Sequence, residues 1–366
     1  MNKRVGSQTV ELKSKPRIIA TYSIVGPKEG EGPLSEYFDE IISDDTLGQE
    51  SFEKAECEML LTAVRGAISK ANLKEQDINY LLAGDLLNQI TSSGYAAREL
   101  DIPFFGLYGA CSTMAESLSL GSLLMDGYFA EHLVVSTSSH FSSSERQFRF
   151  PLEYGSQRAV TSQWTVTGSG AMVLGKYGNY PYVKYVTTGK VKDYGITDAN
   201  NMGAAMAPAA VDTIYKHLKD IGQEPNYYDA IITGELGKVG SKIVDKLLIE
   251  YGYDVSDIHK DCGEMIFNCV TQKTEAGGSG CGCSATVAAG YFYKKLMRRE
   301  LKRILLVSTG ALMSPTATLQ GESIPGIAHG VCIEFEKILE EVEKRDGLCL
   351  CFYCRRSYMC TRSTSY

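Results

Sequence analysis

The stretch Phe104–Asp126 reads FFGLYGACSTMAESLSLGSLLMD. A short apolar run ends in Gly-Ala-Cys-Ser-Thr and a helical pattern begins at once, so Cys111 falls at a strand-to-helix turn. Free backbone N–H groups and the helix dipole at such a turn favour an anion or a thiolate. Gly109, Ala110 and Ser112 are small enough to let the chain turn sharply. Cys111 is therefore either a nucleophile or the floor of a binding pocket. Its partners must come from elsewhere in the chain.

The whole sequence has the composition of a globular protein: 366 residues, 44% hydrophobic, 22% charged, formal net charge −7. That length suggests about two domains. The mild acidity argues against nucleic-acid binding. No apolar h-region follows the basic N-terminal residues, and no apolar run approaches the roughly 18–20 residues of a spanning helix. Any membrane association is expected to be peripheral. The 11 cysteines are irregularly spaced in a long chain, which fits a reducing compartment better than a disulfide framework.

Taken in order, the chain repeats itself. Arg17–Val25 alternates as a strand, Ser51–Ala71 has helical spacing, and Asp77–Ala83 is a short buried strand ending in Gly84-Asp85. Thr91–Leu100 is a second helix. His132–Thr137 is a strand leading into what is expected to be a loop, SSHFSSSERQFRFPLEYGSQR, and Gly168–Leu174 resumes strand character. A helix over Ala204–Ile221, a strand at Tyr228–Thr233 ending in Gly234-Glu235, and a helix over Ser241–Tyr251 follow. Glycine-rich AGGSGCGCSA (Ala276–Ala285) then opens a helix reaching Arg299, before strands at Arg303–Thr309 and Ala328–Glu336. LLAGDLLN from Leu81 matches IITGELGK from Ile231, ACSTMAESLSLGSLL from Ala110 matches GCSATVAAGYFYKKL from Gly282, and LVVSTSSH from Leu133 matches LLVSTGAL from Leu305. Matches in the same order imply a duplicated α/β unit with helix-covered sheets.

A duplicated α/β half with a cysteine opening the buried helix resembles the thiolase fold of thiolases and ketoacyl synthases. AGDLLNQ (Ala83–Gln89), GACSTMAESL (Gly109–Leu118), ERQFRFPLEYG (Glu145–Gly155), TVTGSGAMVL (Thr165–Leu174), GITDANNMGAAMAPAA (Gly195–Ala210) and STGALMSPTA (Ser308–Ala317) narrow it. With these strings the chain, from about Val5 to Lys337, resembles the stage V sporulation protein AD family of spore-forming bacteria. The resemblance implies an α/β, thiolase-like fold with two duplicated halves in a five-layer αβαβα arrangement. The halves would be 1–180 and 181–340, followed by a poorly packed tail, 341–366. It also implies binding of dipicolinic acid, alone or as its calcium chelate, for uptake into and release from spores. The implied partners are the other subunits of a spore membrane channel complex. The protein would be a homodimer in forespore and spore, peripheral to the inner membrane, with no cofactor.

Thiolase-fold enzymes use a cysteine at this turn against thioesters, activated by histidines from the second half. Here the thiolase Gly-His-Pro position reads Gly278-Ser279-Gly280, and the ketoacyl-synthase histidine position reads Gly234-Glu235-Leu236. Ile324 stands near the second thiolase cysteine. His329 and His140 are the surrogates left. Loss of general-base help worth ~10²–10⁴-fold favours a pocket reused for binding over an enzyme. The alternative is an acyltransferase with Cys111 as the acyl-accepting nucleophile. A scaffolding subunit is a third possibility.

For a flat dicarboxylate, the expected contacts are N–H groups and hydroxyls at Cys111, Ser112 and Thr113, with bidentate cations at Arg146 and Arg149. His140, Gly278, Ser279 and His329 would complete the wall. Asp85 would repel an anion unless it orients an arginine or meets Ca²⁺. No metal site is expected. The tail cysteines Cys349, Cys351, Cys354 and Cys360 have a Cys-x-Cys-x-x-Cys spacing but lack a second knuckle. His132, His217 and His259 are expected on solvated faces.

Overall fold

The computed structural model describes residues 3–148 and 158–335. Arg149 and the tail cysteines lie outside the described residues.

In the first half the strands are β1 (Arg17–Val25), β2 (Tyr80–Gly84), β3 (Phe104–Gly106), β4 (His132–Ser139) and β5 (Gly168–Gly175). The helices are α1 (Phe52–Lys70), α2 (Thr91–Leu100), α3 (Thr113–Asp126) and α4 (Phe141–Phe148). The second half contains β6 (Tyr182–Thr187), α5 (Met202–Ile221), β7 (Ala230–Thr233), α6 (Gly237–Glu250), β8 (His259–Asp261), α7 (Cys281–Val287), β9 (Arg303–Ala311) and β10 (Gly326–Glu334). The helix begun by α7 continues through a π-helical turn at Ala288–Phe292 to Met297.

The duplication read from the strings is present in the topology. In the first half the strand order is β1-β5-β4-β2-β3, and in the second it is β6-β10-β9-β7-β8. In each half the last strand runs antiparallel to both neighbours and the other pairs are parallel. The two sets join edge to edge where Arg17 pairs with Tyr182.

Strand periodicity separates the layers. Leu81, Val134 and Val173 point outward to Met59, Val64 and Ile68 of α1 and Leu100 of α2. Leu82, Leu133, Val135 and Leu174 point inward. In the second half Ile231, Leu305 and Val307 face Met206 and Ile214 of α5 and Val244 of α6, while Ile232, Ile304 and Leu306 face inward. Between the inner faces lies α3, whose Met114, Ala115, Leu118 and Met125 belong to the same core as both sheets. It is apolar because both sides are covered. Each fully buried aliphatic side chain contributes about 1.5–3 kcal/mol relative to exposure. Helix α7 shares this middle layer through Cys283, Ala285 and Val287. Among the described residues no helix is long and apolar enough to cross a membrane.

Candidate functional site

The turn before α3 is held by its own side chains. Ser112 donates its hydroxyl to the Gly109 carbonyl (2.7 Å), and Thr113 donates to the Ala110 carbonyl (2.6 Å) while accepting the Gly109 N–H (3.1 Å). Ala110 has a φ of +50°, in the left-handed region that costs a non-glycine residue energy and marks functional turns. These restraints aim Cys111 at the second half. The backbone N–H groups of Gly280 and of Cys111 itself face the sulfur, but burial pushes its pKa up, and the neighbouring Glu235 pushes it further. Cys111 is thus a neutral thiol at ordinary pH, 7% exposed.

That exposure opens onto a narrow cleft of about 40 Å³ at the carboxyl ends of the strands, where α/β folds place ligands. Its wall combines the two halves: Tyr108 and Phe148 from the first, Met202 and Met313 from the second, with Ser144 and Ser279 as polar points. The Ser144 hydroxyl is buried and has no hydrogen-bond partner among the described residues. Glu145 also lines the cleft and is held by Arg158 (3.4 Å). The Arg158 guanidinium donates to the Gln163 carbonyl (2.5 Å) and lies 5.2 Å from the Trp164 ring centroid. Trp164 stacks on Phe141 at 3.9 Å.

Behind Cys111, Glu235 follows β7 at the position where a ketoacyl synthase has a histidine. It is fully buried and accepts from the N–H of Ser284 (3.2 Å) and Thr309 (3.1 Å). Burial raises its pKa well above the carboxylate range. This buried carboxyl, with a backbone N–H on each oxygen, braces α7 against β9. Cys281, opening α7, packs beside Cys111 with Leu86 and Phe148 and donates its thiol to the Ser138 carbonyl (3.1 Å).

Of the residues expected at the site, Cys111 and Ser279 line the cleft. The others among the described residues are employed elsewhere. Ser112 and Thr113 spend their hydroxyls on the turn, and Gly278 accepts the Gln163 side-chain amide (2.9 Å). Asp85 is a buried structural acceptor, taking the Leu87 N–H (2.8 Å) and both the N–H and hydroxyl of Ser93 (2.7 Å each). His140 is buried with both ring nitrogens used: Nδ1 accepts from the Ser142 N–H (3.1 Å) and Nε2 donates to the Asp45 carbonyl (2.8 Å). His329 accepts the Gly189 N–H (3.3 Å), and burial lowers its pKa to about 4. Arg146 is paired with Glu53 on the surface.

The stretch expected to be a loop after β4 begins instead with helix α4, which explains the displacement of Arg146. On a helix Ser144, Glu145 and Phe148 share one face and residue 146 points to the other. His217 and His259 are also not on solvated faces. His217 is buried between Thr187 (2.7 Å) and Tyr228 (2.5 Å), its pKa lowered to about 3 by desolvation, and His259 is buried against Asp245 (2.6 Å). Sequence reasoning missed Ser144, Glu145, Tyr108, Phe148 and Met313 as cleft residues. A helical wheel drawn on FSSSERQF would have found the first two and Phe148.

Paired five-stranded sets, a shared central helix and a cysteine at its entry define a protein of the thiolase-like fold. Solved structures agree on the fold. A variant of OleA from Xanthomonas campestris is 14% identical, covering 87% of this chain and 98% of its own, with a TM-score of 0.56. The 3-oxoacyl-[acyl-carrier-protein] synthase III of Aquifex aeolicus VF5 is 13% identical over 87% and 100%, with a TM-score of 0.54. Within that class the chain belongs to the stage V sporulation protein AD family, whose pattern matches residues 6–334. The stage V sporulation protein AD of Bacillus subtilis (strain 168) is 46% identical over 332 residues, 91% of this chain and 98% of that relative.

Proposed function

We propose that the protein is a non-enzymatic binder of dipicolinic acid, taken alone or as its calcium chelate, in the cleft over Cys111. It would serve uptake into and release from the spore as a peripheral subunit of an inner-membrane channel complex in forespore and spore. The observation that carries this is the pairing at the old nucleophile turn. A thiol made less acidic by burial stands near Glu235, a buried carboxyl with each oxygen taken by a backbone N–H, where ketoacyl synthases keep a histidine. Among the described residues no histidine lines the cleft. A pocket with apolar and aromatic walls and a few hydroxyls suits a flat ring. The Ser144 and Ser279 hydroxyls on the cleft wall are groups suited to a carboxylate, and Arg158 supplies a cation behind them, paired with Glu145. Calorimetry with dipicolinate, with and without Ca²⁺, is the test; no heat of binding at millimolar ligand would end the proposal.

An acyltransferase using Cys111 is the second reading, supported by the N–H groups of Gly280 and Cys111 that face the sulfur. It requires an acyl adduct on Cys111 after incubation with acyl-CoA. An intact-mass spectrum without that adduct removes it.

Self-association along β3 belongs to the same proposal. This strand ends the sheet, and Phe105 on it is 47% exposed beside an apolar groove formed with Leu120, Leu124 and Phe129. An apolar edge left unpaired among the described residues fits a second copy of the chain in a homodimer.

A further inference from the structure

Two openings meet near Cys111. The inner one is the cleft already described. The outer one is a vestibule of roughly 400 Å³ bounded by the loop at Leu87–Ile90, by Gly106 and Leu107, and by Leu312–Pro315. Tyr108, Phe148 and Met313 line both spaces. They are carried on three different segments: the loop after β3, the last position of α4, and the chain just beyond β9.

The frame around these side chains is fixed. Gln147 accepts the Asn88 N–H (2.8 Å) and donates to the Leu86 carbonyl (3.1 Å), fastening the end of α4 to the vestibule loop. Gln89 and Ile90 hold φ values of +55° and +49°, two consecutive left-handed positions without glycine. Such strain persists only where surrounding contacts over-determine it. Within this frame the partition itself is soft. Tyr108 is 45% exposed, Met313 has three rotatable bonds, and exposed side chains change rotamer in picoseconds to nanoseconds.

We propose that Tyr108, Phe148 and Met313 form a size-selecting gate between the vestibule and the Cys111 chamber. It passes a small or flat molecule against aromatic faces and a thioether, and it rejects bulkier groups. The inference rests on the proposed function only for the identity of the natural ligand. The gate acts on any molecule approaching the thiol.

The experiment is competitive labelling of the whole protein at pH 8.5, read at Cys111 by peptide mass spectrometry and normalised to the half-exposed Cys269. The probes are methyl methanethiosulfonate and a bulky, non-planar poly(ethylene glycol) maleimide. In the wild type the small reagent should outpace the bulky one at Cys111 by tenfold or more after normalisation. Tyr108→Ala and Phe148→Ala should shrink that ratio at least threefold, and Met313→Trp should slow both reagents. Equal normalised rates in the wild type, no labelling of the folded protein by the small reagent, or an unchanged ratio in folded gate variants would each overturn the gate. If the alanine variants do not fold, Met313→Trp decides alone. A further arm adds millimolar dipicolinate. Failure to protect Cys111 there, with size selection intact, counts against the ligand and not the gate.

Discussion

Gly310, on β9, approaches the carbonyl of Gly109 so closely that a Cβ built on it would lie 2.2 Å from that oxygen. The end of strand β9 thus presses against the turn that carries Cys111, and hydrogen is the only side chain that fits. Gly310→Ala must therefore push β9 away from the Cys111 turn. Overpacking of this kind costs about 1–3 kcal/mol. Thermal unfolding should show the loss, and an unchanged midpoint would mean the two segments yield easily.

Ser144 and Arg146 are two residues apart on α4 and should behave oppositely. Under the proposed function Ser144→Ala removes an unpartnered hydroxyl from the cleft wall, and a hydrogen bond to a charged group is worth about 1.5–3 kcal/mol. Dipicolinate affinity should fall roughly 10- to 100-fold. Arg146→Ala breaks only a surface pair with Glu53 and should leave affinity within about twofold. Equal effects in calorimetric titration would refute this division of roles.

Glu56 and Asp85 are both fully buried and interact. Among the described residues Asp85 has three donors on its oxygens, whereas Glu56 has only the hydroxyls of Ser138 (3.1 Å) and Ser143 (3.0 Å). Either hydroxyl can also accept, so Glu56 is the member that keeps a proton. Desolvation, then Asp85, raises its pKa well above the ordinary value. The folded state therefore holds a proton that the unfolded chain loses. This stabilisation is complete below the ordinary carboxylate range and is lost as pH rises through the folded value. Glu56→Gln mimics the protonated form and should flatten the decline in urea midpoint between pH 6 and 9. Asp85→Asn turns an amide toward N–H donors and should cost about 1–3 kcal/mol at either pH. A Gln variant as pH-sensitive as the wild type would show that Glu56 is ionised.

Phe105→Arg places a charge on the exposed edge strand and its apolar groove. If a second copy pairs there, light scattering after size exclusion should find a monomer where the wild type is a dimer. A wild-type monomer, or a variant dimer, would rule out this edge as the interface.

Much of this was legible in the chain. The strings around Leu81, Ala110 and Leu133 recur in order, and each landed on a corresponding strand or helix, because buried βαβ units leave strong apolar patterns. Cys111 and Ser279 were legible too, since turn residues between strand and helix sit at the cleft by topology. Ser112, Thr113 and Asp85 were misassigned for a local reason: short polar side chains satisfy groups two to eight residues away before any ligand can claim them. His217 and His329 carried no sign of burial in their neighbours' composition. Only the packing of α5 against β6 and of β10 against the segment at Gly189 determines it.

The placement of α3 between the two inner sheet faces has a consequence for how the molecule comes into being. Its apolar residues need β2 and β4, which lie nearby in sequence, and also β7, β9 and β10, which are synthesised long afterwards. Until those later strands leave the ribosome, one side of the helix lacks its cover. Folding is then governed by long-range closure, which is slow. A chain interrupted before β10 would expose that helix, making the unfinished protein a natural client for chaperones.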